Sequence, residues 1–461
     1  MALEALNDAG SSKTKMMVIL NDNEMSISKN VGGMTNFLSK LRTKKLYTRT
    51  NIKVKQILNK VPIVGKPTVK LIQKIKRGLK QLFIQKMFFE DIGFTYLGPV
   101  DGHDIEKLES IIKMGDTING PVLIHVITKK GKGYEPAENN PDKFHSTSSF
   151  EIETGKSLKQ GQKDYSKVFG DKLCELARKD NRIVAITAAM KEGTGLGEFA
   201  TKFPDRFYDV GIAEQHALGL AAGLAKAGLK PVVPIYSSFL QRGYDQILHD
   251  ICIQKLPVVI CVDRAGIVGN DGETHQGIFD LSFLNTIPNL KIIAPKDFKE
   301  LEQILEYAIN QDGPIAIRYP RGGEADLKFD KHEEIIEGKS ELLKQGTDIS
   351  IVAIGKMVGA AIKVAENLEK EGISTSVINA RWLSPLDTNM VLNEHIFTIE
   401  DNIKIGGLGA SIMQQLNKKV TILGYPKEFI KHATPAQIEE MYELDVQNIQ
   451  KQIQKELAIY K

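Results

Sequence analysis

The chain reads as a series of short apolar runs separated by polar stretches punctuated with glycine. Runs of five to eight residues stand at "MMVIL" (16–20), "PVLIHVIT" (121–128), "RIVAIT" (182–187), "KPVVPIY" (230–236), "LPVVICV" (256–262), "PIAIRY" (314–319), "DISIVAI" (348–354) and "STSVINA" (374–380). They lack the strict alternation of a strand with one wet face, so they read as strands buried on both sides. Stretches of helical length lie between them, such as "AEQHALGLAAGLAKAG" (213–228) and "MVGAAIKVAENLEKEG" (357–372). Strand and helix in alternation predict an α/β protein with mostly parallel sheets flanked by helices. There is no short-period repeat.

Two polar tracts divide the pattern: "SSFEIETGKSLKQGQKD" (148–164) and "LKFDKHEEIIEGKSELLKQG" (327–346). They predict three domains over 1–150, 165–325 and 345–461. A content of 42% hydrophobic and 26% charged residues is ordinary for a globular protein. No apolar stretch approaches the roughly 18 residues of a membrane span, and the first residues lack the basic-then-apolar order of a signal peptide. Three cysteines, Cys174, Cys252 and Cys261, show no metal spacing and are expected as buried thiols in a reducing compartment, which makes the cytoplasm the expected location. A net charge of +4 is too small to argue for a polyanionic partner. One tract does stand out, because 25–89 contains no Asp or Glu while Lys and Arg recur, as in "KLRTKKLYTR". Without interleaved aromatics to stack on bases, it reads as a solvated, partly helical excursion with snorkelling lysines, and no nucleic-acid partner is expected.

Chemistry enters where the strands end, since ligands of open α/β sheets lie beyond the carboxyl ends of the strands. "VILNDNEMSIS" (18–28) breaks from strand into Asn21, Asp22 and Asn23. In "RFYDVGIAEQHALGLAAGLA" (206–225) a strand ends near Asp209 and a small-residue helix begins near Glu214. A carboxylate at a helix start is ordinary on electrostatic grounds; withdrawn from water at a strand end, it can also exchange protons with a heteroaromatic ring. "IYSSFLQRGYDQILHD" (235–250) sets Tyr236, Phe239 and Arg242 just past another strand, with Phe239 either core or a stacking platform for a flat ring. The loop "GNDGETHQG" (269–277) holds Asp271 and His275, and loops of that kind are seldom needed for packing. "RYPRG" (318–322) ends a strand with two guanidinium groups, a chemistry suited to bidentate binding of phosphate. "TKKGKGYEP" (128–136) and "KFHSTSSF" (143–150) offer Tyr134 and His145.

In order and spacing, "LNDNEMSIS", "GPVDGHD", "TKKGKGYEPAE", "FPDRFYDVGIAEQHA", "YSSFLQRGYDQ", "LPVVICVDRAGIVGNDGETHQG" and "RYPRG" resemble the 1-deoxy-D-xylulose-5-phosphate synthases, thiamine-diphosphate enzymes of the transketolase group. The resemblance covers essentially the whole chain. It implies a diphosphate-binding domain in 1–150, a pyrimidine-binding domain in 165–325 and a transketolase C-terminal domain in 345–461. It places Asn23 on the asparagine that coordinates Mg²⁺ and Met25 on the residue whose carbonyl also contacts the metal. Tyr134 falls on a contact to thiamine diphosphate, Glu214 on the cofactor-activating glutamate, and Phe239 on the aromatic that stacks on the aminopyrimidine. Tyr236, Arg242, Asp271 and Arg321 fall on substrate-binding positions, and His145 and His275 on candidate proton shuttles. The implied reaction condenses pyruvate with D-glyceraldehyde 3-phosphate, releasing CO₂, in a homodimer whose product feeds isoprenoid, thiamine and pyridoxal synthesis. The family's metal motif begins with a Gly-Asp-Gly that would precede Met1, so the first domain is expected to be incomplete. A truncated or mis-started copy, half of a split enzyme completed by a separate N-terminal chain, and a non-catalytic binding or dimerisation remnant are the readings this leaves. Transketolase itself and the 2-oxo acid dehydrogenase components are the related enzymatic alternatives.

Overall fold

The apolar runs fold as strands in the computed structural model, which describes residues 2–25, 32–43, 88–145, 147–158, 163–325, 327, 329 and 331–459. The chain divides into two compact units, Met1–Lys159 and Gln160–Lys461. The expected basic excursion at 25–89 is described only at Met25, at 32–43 and at Phe88 and Phe89; the rest of it lies outside the described residues.

In the first unit, β1 (Met17–Asp22), β2 (Thr95–Asp101) and β3 (Val122–Ile127) form a parallel sheet in the order β1-β3-β2. Central β3 is apolar on both faces because each face meets its own cluster. Leu123 packs with Phe89, Phe94 and Tyr96, whereas Val122, Ile124 and Val126 pack with Met17 and Leu97. One polar group from each strand interrupts this core. His125 Nε2 lies 2.9 Å from Asp22 Oδ2, and its Nδ1 lies 2.7 Å from the Tyr96 hydroxyl. Each of the three thereby meets a partner, the condition on which polar groups survive inside a sheet.

The second unit holds two sheets. Strands β4 (Ile183–Thr187), β5 (Phe207–Asp209), β6 (Lys230–Tyr236), β7 (Val259–Ala265), β8 (Lys291–Ile293) and β9 (Ile315–Pro320) lead into β10 (Glu341–Lys344), β11 (Ile349–Ala353) and β12 (Thr375–Asn379). They are followed by β13 (Trp382–Ser384), β14 (His395–Ile403) and β15 (Val420–Tyr425). The seven-stranded sheet runs β13-β8-β9-β7-β6-β4-β5 and the five-stranded sheet β10-β12-β11-β14-β15; only the pairings β13–β8 and β10–β12 are antiparallel. This is the expected α/β class, mostly parallel sheets flanked by helices. Helix starts follow local chemistry: Asp164 and Asp297 each accept a backbone N–H at the N-termini of the helices Tyr165–Lys179 and Phe298–Ile309.

Strand β13 comes from the chain beyond β12, yet it completes the edge of the other sheet. At this crossing lies a fully buried ion network. Lys296 Nζ stands 3.3 Å from Glu300 Oε1 and 2.8 Å from Glu341 Oε2. Arg381 Nε stands 2.7 Å from Glu300 Oε1, and its Nη2 3.2 Å from Glu341 Oε2. Asn379 donates to both carboxylates. Two cations face two anions, so the charges balance. Burial acts against the charge of Glu341, yet the Lys296 and Arg381 cations hold its pKa below the usual glutamate value. Removing one partner leaves an uncompensated charge inside the protein, which is far costlier than the pair's net worth. Glu300→Ala is therefore expected to lower the unfolding free energy by about 3–5 kcal/mol, seen as a lower denaturant midpoint at an unchanged slope.

Candidate active site

Strand β1 ends in a turn built by its own side chains. Asp22 Oδ1 accepts the Glu24 N–H at 3.2 Å, Asn23 Oδ1 accepts the Met25 N–H at 3.0 Å, and Glu24 takes a positive φ of 63°. Such bonds are how Asn and Asp shape turns. Asn23 and the Met25 carbonyl offer two neutral oxygens, whereas a hard divalent cation takes about six oxygens with carboxylates among them. Among the described residues no group of three His, Cys, Asp or Glu is placed to hold a metal. The donor set present does not by itself fit Mg²⁺.

Tyr134 stands at the N-terminus of the short helix Glu135–Asn139, with its ring against Phe144 and Phe150 and its hydroxyl donating to the Ile152 carbonyl at 2.6 Å. His145 Nδ1 lies 3.2 Å from Lys130 Nζ, and desolvation, reinforced by that ammonium, lowers its pKa. None of the hydrogen bonds or ring contacts described joins Asn23, Tyr134 and His145 to one another.

The second unit gathers its candidates more tightly. Glu214 is the first residue of the helix Glu214–Lys226 and is buried. Arg242 Nη1 reaches Glu214 Oε2 at 2.5 Å. Gly243, next in the chain, packs against the same helix, where a Cβ would lie 2.2 Å from Leu218 Cδ1. Arg242 Nε is buried without a partner among the described residues. Tyr236, the last residue of β6, stacks on Phe239 at 5.5 Å, and Phe239 meets the edge of His275 at 5.1 Å. Gly193, after β4, leaves room for the Tyr236 hydroxyl, which a Cβ would approach to 2.0 Å.

Asp271 is the anchor of two guanidinium groups. Arg321 Nη1 lies 2.5 Å from Asp271 Oδ2, and Arg264 Nη1 lies 3.6 Å from the same oxygen. The Arg264 guanidinium also lies 3.8 Å from the Tyr236 ring centre. Sequence reasoning missed Arg264, because a register shift between Val262 and Ala265, with a φ of 58° at Arg264, turns it out of the strand pattern. Its only sequence signal was an Arg at a strand end ahead of Ala-Gly. The other arginine of "RYPRG" needs a correction. Arg318, paired with Arg321 as a phosphate binder, is buried and clamped between Asp280 (2.9 Å) and Asp401 (2.6 Å), so its donors are committed inside the protein. His275 has its pKa lowered by desolvation, against the opposing pull of Asp271.

A carboxylate at a helix start, an aromatic pair and two arginines on one acid, all at strand ends, can now be set beside known proteins. A protein of Caldanaerobacter subterraneus subsp. tengcongensis named 1-deoxy-D-xylulose-5-phosphate synthase is 51% identical over 459 residues, covering 97% of this chain and 74% of that protein. The chain belongs to the 1-deoxy-D-xylulose-5-phosphate synthase family. The family model of that description matches residues 1–128, "Transketolase, pyrimidine binding domain" matches 161–323, and "Transketolase, C-terminal domain" matches 338–449. The chain is thus a transferase-family member of the transketolase class. Among solved structures, one titled "Split gene transketolase, inactive beta4 tetramer" superposes with a TM-score of 0.60 at 31% identity, over 65% of this chain and all of that one. A transketolase of Campylobacter jejuni shares the fold, with a TM-score of 0.55 at 17% identity over 98% of this chain and 74% of that one.

In this family member the residue before Arg264 is a buried acid. Asp263, opposite Tyr236 in the sheet register, is buried, and its Oδ2 accepts from Ser166 Oγ at 2.8 Å. Desolvation pushes its carboxyl up to about 7. An acid whose pKa is higher in the folded than in the unfolded chain stabilises the fold fully below the unfolded pKa, and that stability is lost as pH rises through the folded pKa. Asp263 should therefore cost up to about 1.4 kcal/mol per pH unit between roughly pH 4 and 7. Urea unfolding of Asp263→Asn across this range is expected to show a correspondingly flatter loss of stability, with the variant gaining on the wild type as pH rises.

Proposed function

We propose that the chain takes part in the thiamine-diphosphate-dependent condensation of pyruvate with D-glyceraldehyde 3-phosphate to 1-deoxy-D-xylulose 5-phosphate and CO₂, the first committed chemistry toward isoprenoids. The observation that carries this reading is the buried Glu214 carboxylate paired with Arg242, together with the stacked Tyr236–Phe239 rings and two arginines that converge on Asp271. The second unit fits the aminopyrimidine ring: Glu214 supplies a carboxyl withdrawn from water, and Phe239 supplies a flat face in ring contact with Tyr236 and His275. When bound, thiamine diphosphate supplies a carbanion nucleophile that no amino-acid side chain provides.

The roles of this chain's own residues follow. Glu214 would hydrogen-bond the ring nitrogen and set its protonation, while Arg242 holds the carboxylate in place. Arg264 and Arg321, already drawn to the charge of Asp271, bind the phosphate of the aldehyde, and a planar fork suits a phosphate better than a point charge does. Tyr236 orients Arg264 through its ring. His275, kept neutral near pH 7 by its depressed pKa, accepts or returns a proton at the substrate oxygens. In the first unit, Tyr134 and Asn23 serve the cofactor, and His145 serves as a second proton carrier. Asn23 and the Met25 carbonyl would supply two oxygens toward Mg²⁺, a set that by itself does not complete a site for the ion. The working form is a homodimer in the cytoplasm.

A second reading, that the chain works only with a separate N-terminal chain, is favoured by its likeness to the structure titled as an inactive split-gene transketolase. An assay of CO₂ release from pyruvate and D-glyceraldehyde 3-phosphate separates the two. Activity of the chain alone supports the first reading, and activity appearing only on addition of a relative's N-terminal segment supports the second. Better turnover of ketose donors or lipoyl acceptors would overturn the substrate assignment. In whichever form is active, Glu214→Gln is expected to lower kcat at least ~100-fold. Arg264→Met is expected to raise the KM for the phosphorylated aldehyde by about 10–100-fold, the worth of one charged hydrogen bond. Near-normal turnover by Glu214→Gln would remove that residue from the chemistry.

A further inference from the structure

The loop from Gly266 to Gly277, which carries Asp271 and His275, is packed on one side by residues far along the chain. Gly266 (φ 74°) lies so close to Asp401 that a Cβ would stand 2.0 Å from Asp401 Oδ2. Gly269 (φ 77°) lies against the strap 431–435, where a Cβ would stand 2.7 Å from Pro435 Cδ and 2.8 Å from the Ala433 carbonyl. Gln276 is the brace within the loop: its Oε1 accepts the N–H groups of Val268 (3.0 Å) and Gly269 (3.3 Å), and its Nε2 donates to the Lys431 carbonyl at 3.4 Å. The ends of the loop are tied to each other, with Gly266 and Gly277 exchanging two backbone bonds of 2.7 Å.

Asp401 connects this loop to the rest of the fold. One of its oxygens accepts from Arg318 Nη1 at 2.6 Å and its carbonyl from Nη2 at 3.1 Å, and Arg318 Nε reaches Asp280 at 2.9 Å. Its second oxygen is buried without a partner among the described residues and rests against the Gly266 backbone. Shifting Gly266 toward it would clash, and shifting Arg318 away would leave a buried charge unmet. The loop is therefore fixed by a side chain of the segment that matches the transketolase C-terminal domain model, at 338–449.

We infer that this C-terminal segment is a working part of the substrate site: Asp401, acting through Arg318 and Gly266, and the strap 431–435 hold the loop in the conformation that presents Asp271 and His275. Asp401 is thus a positioning residue, and the inference rests on the reading above that the loop binds the phosphorylated aldehyde. Its test is hydrogen exchange on the full chain, comparing Asp401→Asn with the wild type. The loop amides 266–277 should exchange at least ~10-fold faster, while those of β7 and β9 stay within about threefold. Calorimetry should show D-glyceraldehyde 3-phosphate binding weakened by about tenfold. Gln276→Leu cuts the link to the strap without touching Arg318; it should give the same loop-confined change, and it decides the matter if Asp401→Asn does not fold. Unchanged loop exchange, or equal acceleration of loop and strands, overturns the inference. If the wild type fails to bind the aldehyde, the functional reading falls instead, and the exchange pattern still decides the role of Asp401.

Discussion

Arg318 is surrounded by protein, so its charge must be met by carboxylates delivered from other parts of the fold. Asp280, at the start of the helix Asp280–Leu284, and Asp401, near the end of β14, meet it from two directions. The Lys296–Glu300–Glu341–Arg381 network repeats the device at the edge where β13 joins the seven-stranded sheet. Both clusters join the two sheets of the second unit. Apolar packing alone tolerates small slides between layers, whereas a buried guanidinium has a fixed fork of donors and loses several kcal/mol when one acceptor is withdrawn. These polar bonds tie the two sheets at defined points, alongside apolar packing of Ile267 and Ile278 against the C-terminal core.

The candidate site packs backbone closely where glycine permits it. Gly243 packs closely on Leu218 of the helix that begins at Glu214, and Gly193 leaves space for the Tyr236 hydroxyl. At both places a methyl group would meet a neighbouring side chain, so close backbone packing supports the contacts that the charged and aromatic groups make with one another. This is how a site on loops attains the positional accuracy that catalysis asks of it.

Much of this was legible in the residues, and the boundary of legibility has physical causes. The apolar runs "RIVAIT", "KPVVPIY" and "LPVVICV" lie in central strands, where burial on both faces demands continuous hydrophobicity, and they fold as β4, β6 and β7. Strands β8 and β13 escaped because three residues are too few to form a pattern; β5, equally short, was marked only by its end near Asp209. Strand β14 escaped because "HIFTIEDNI" carries Glu400, Asp401 and Asn402, which look like a loop until their tasks are known: Asp401 meets Arg318, and Glu400 accepts the N–H groups of Leu408 and Gly409 at the start of the helix Leu408–Leu416. Glu214, Phe239 and Asp271 could be picked out because each stands just past a strand end, a place that sequence periodicity marks well. Arg264 could not, since a bulge moved it into the site.

The two arginines of "RYPRG" show where the limit lies. Their types and spacing are equivalent on paper, and bidentate chemistry suits either of them. Arg318 is the fourth residue of β9, a strand buried along its whole length, so its side chain is swallowed and must find acids inside the protein. Arg321 follows the last residue of the same strand, where its side chain keeps 42% of its exposure and stays within reach of Asp271. Three positions separate a structural clamp inside the strand from a part-exposed cation just beyond its end. Residue type names the chemistry that is available; the strand's end decides which copy of it meets the solvent. The interior arginine nonetheless serves the exterior one, because the acid that satisfies Arg318 is the one pressed against the root of the loop on which Asp271 stands.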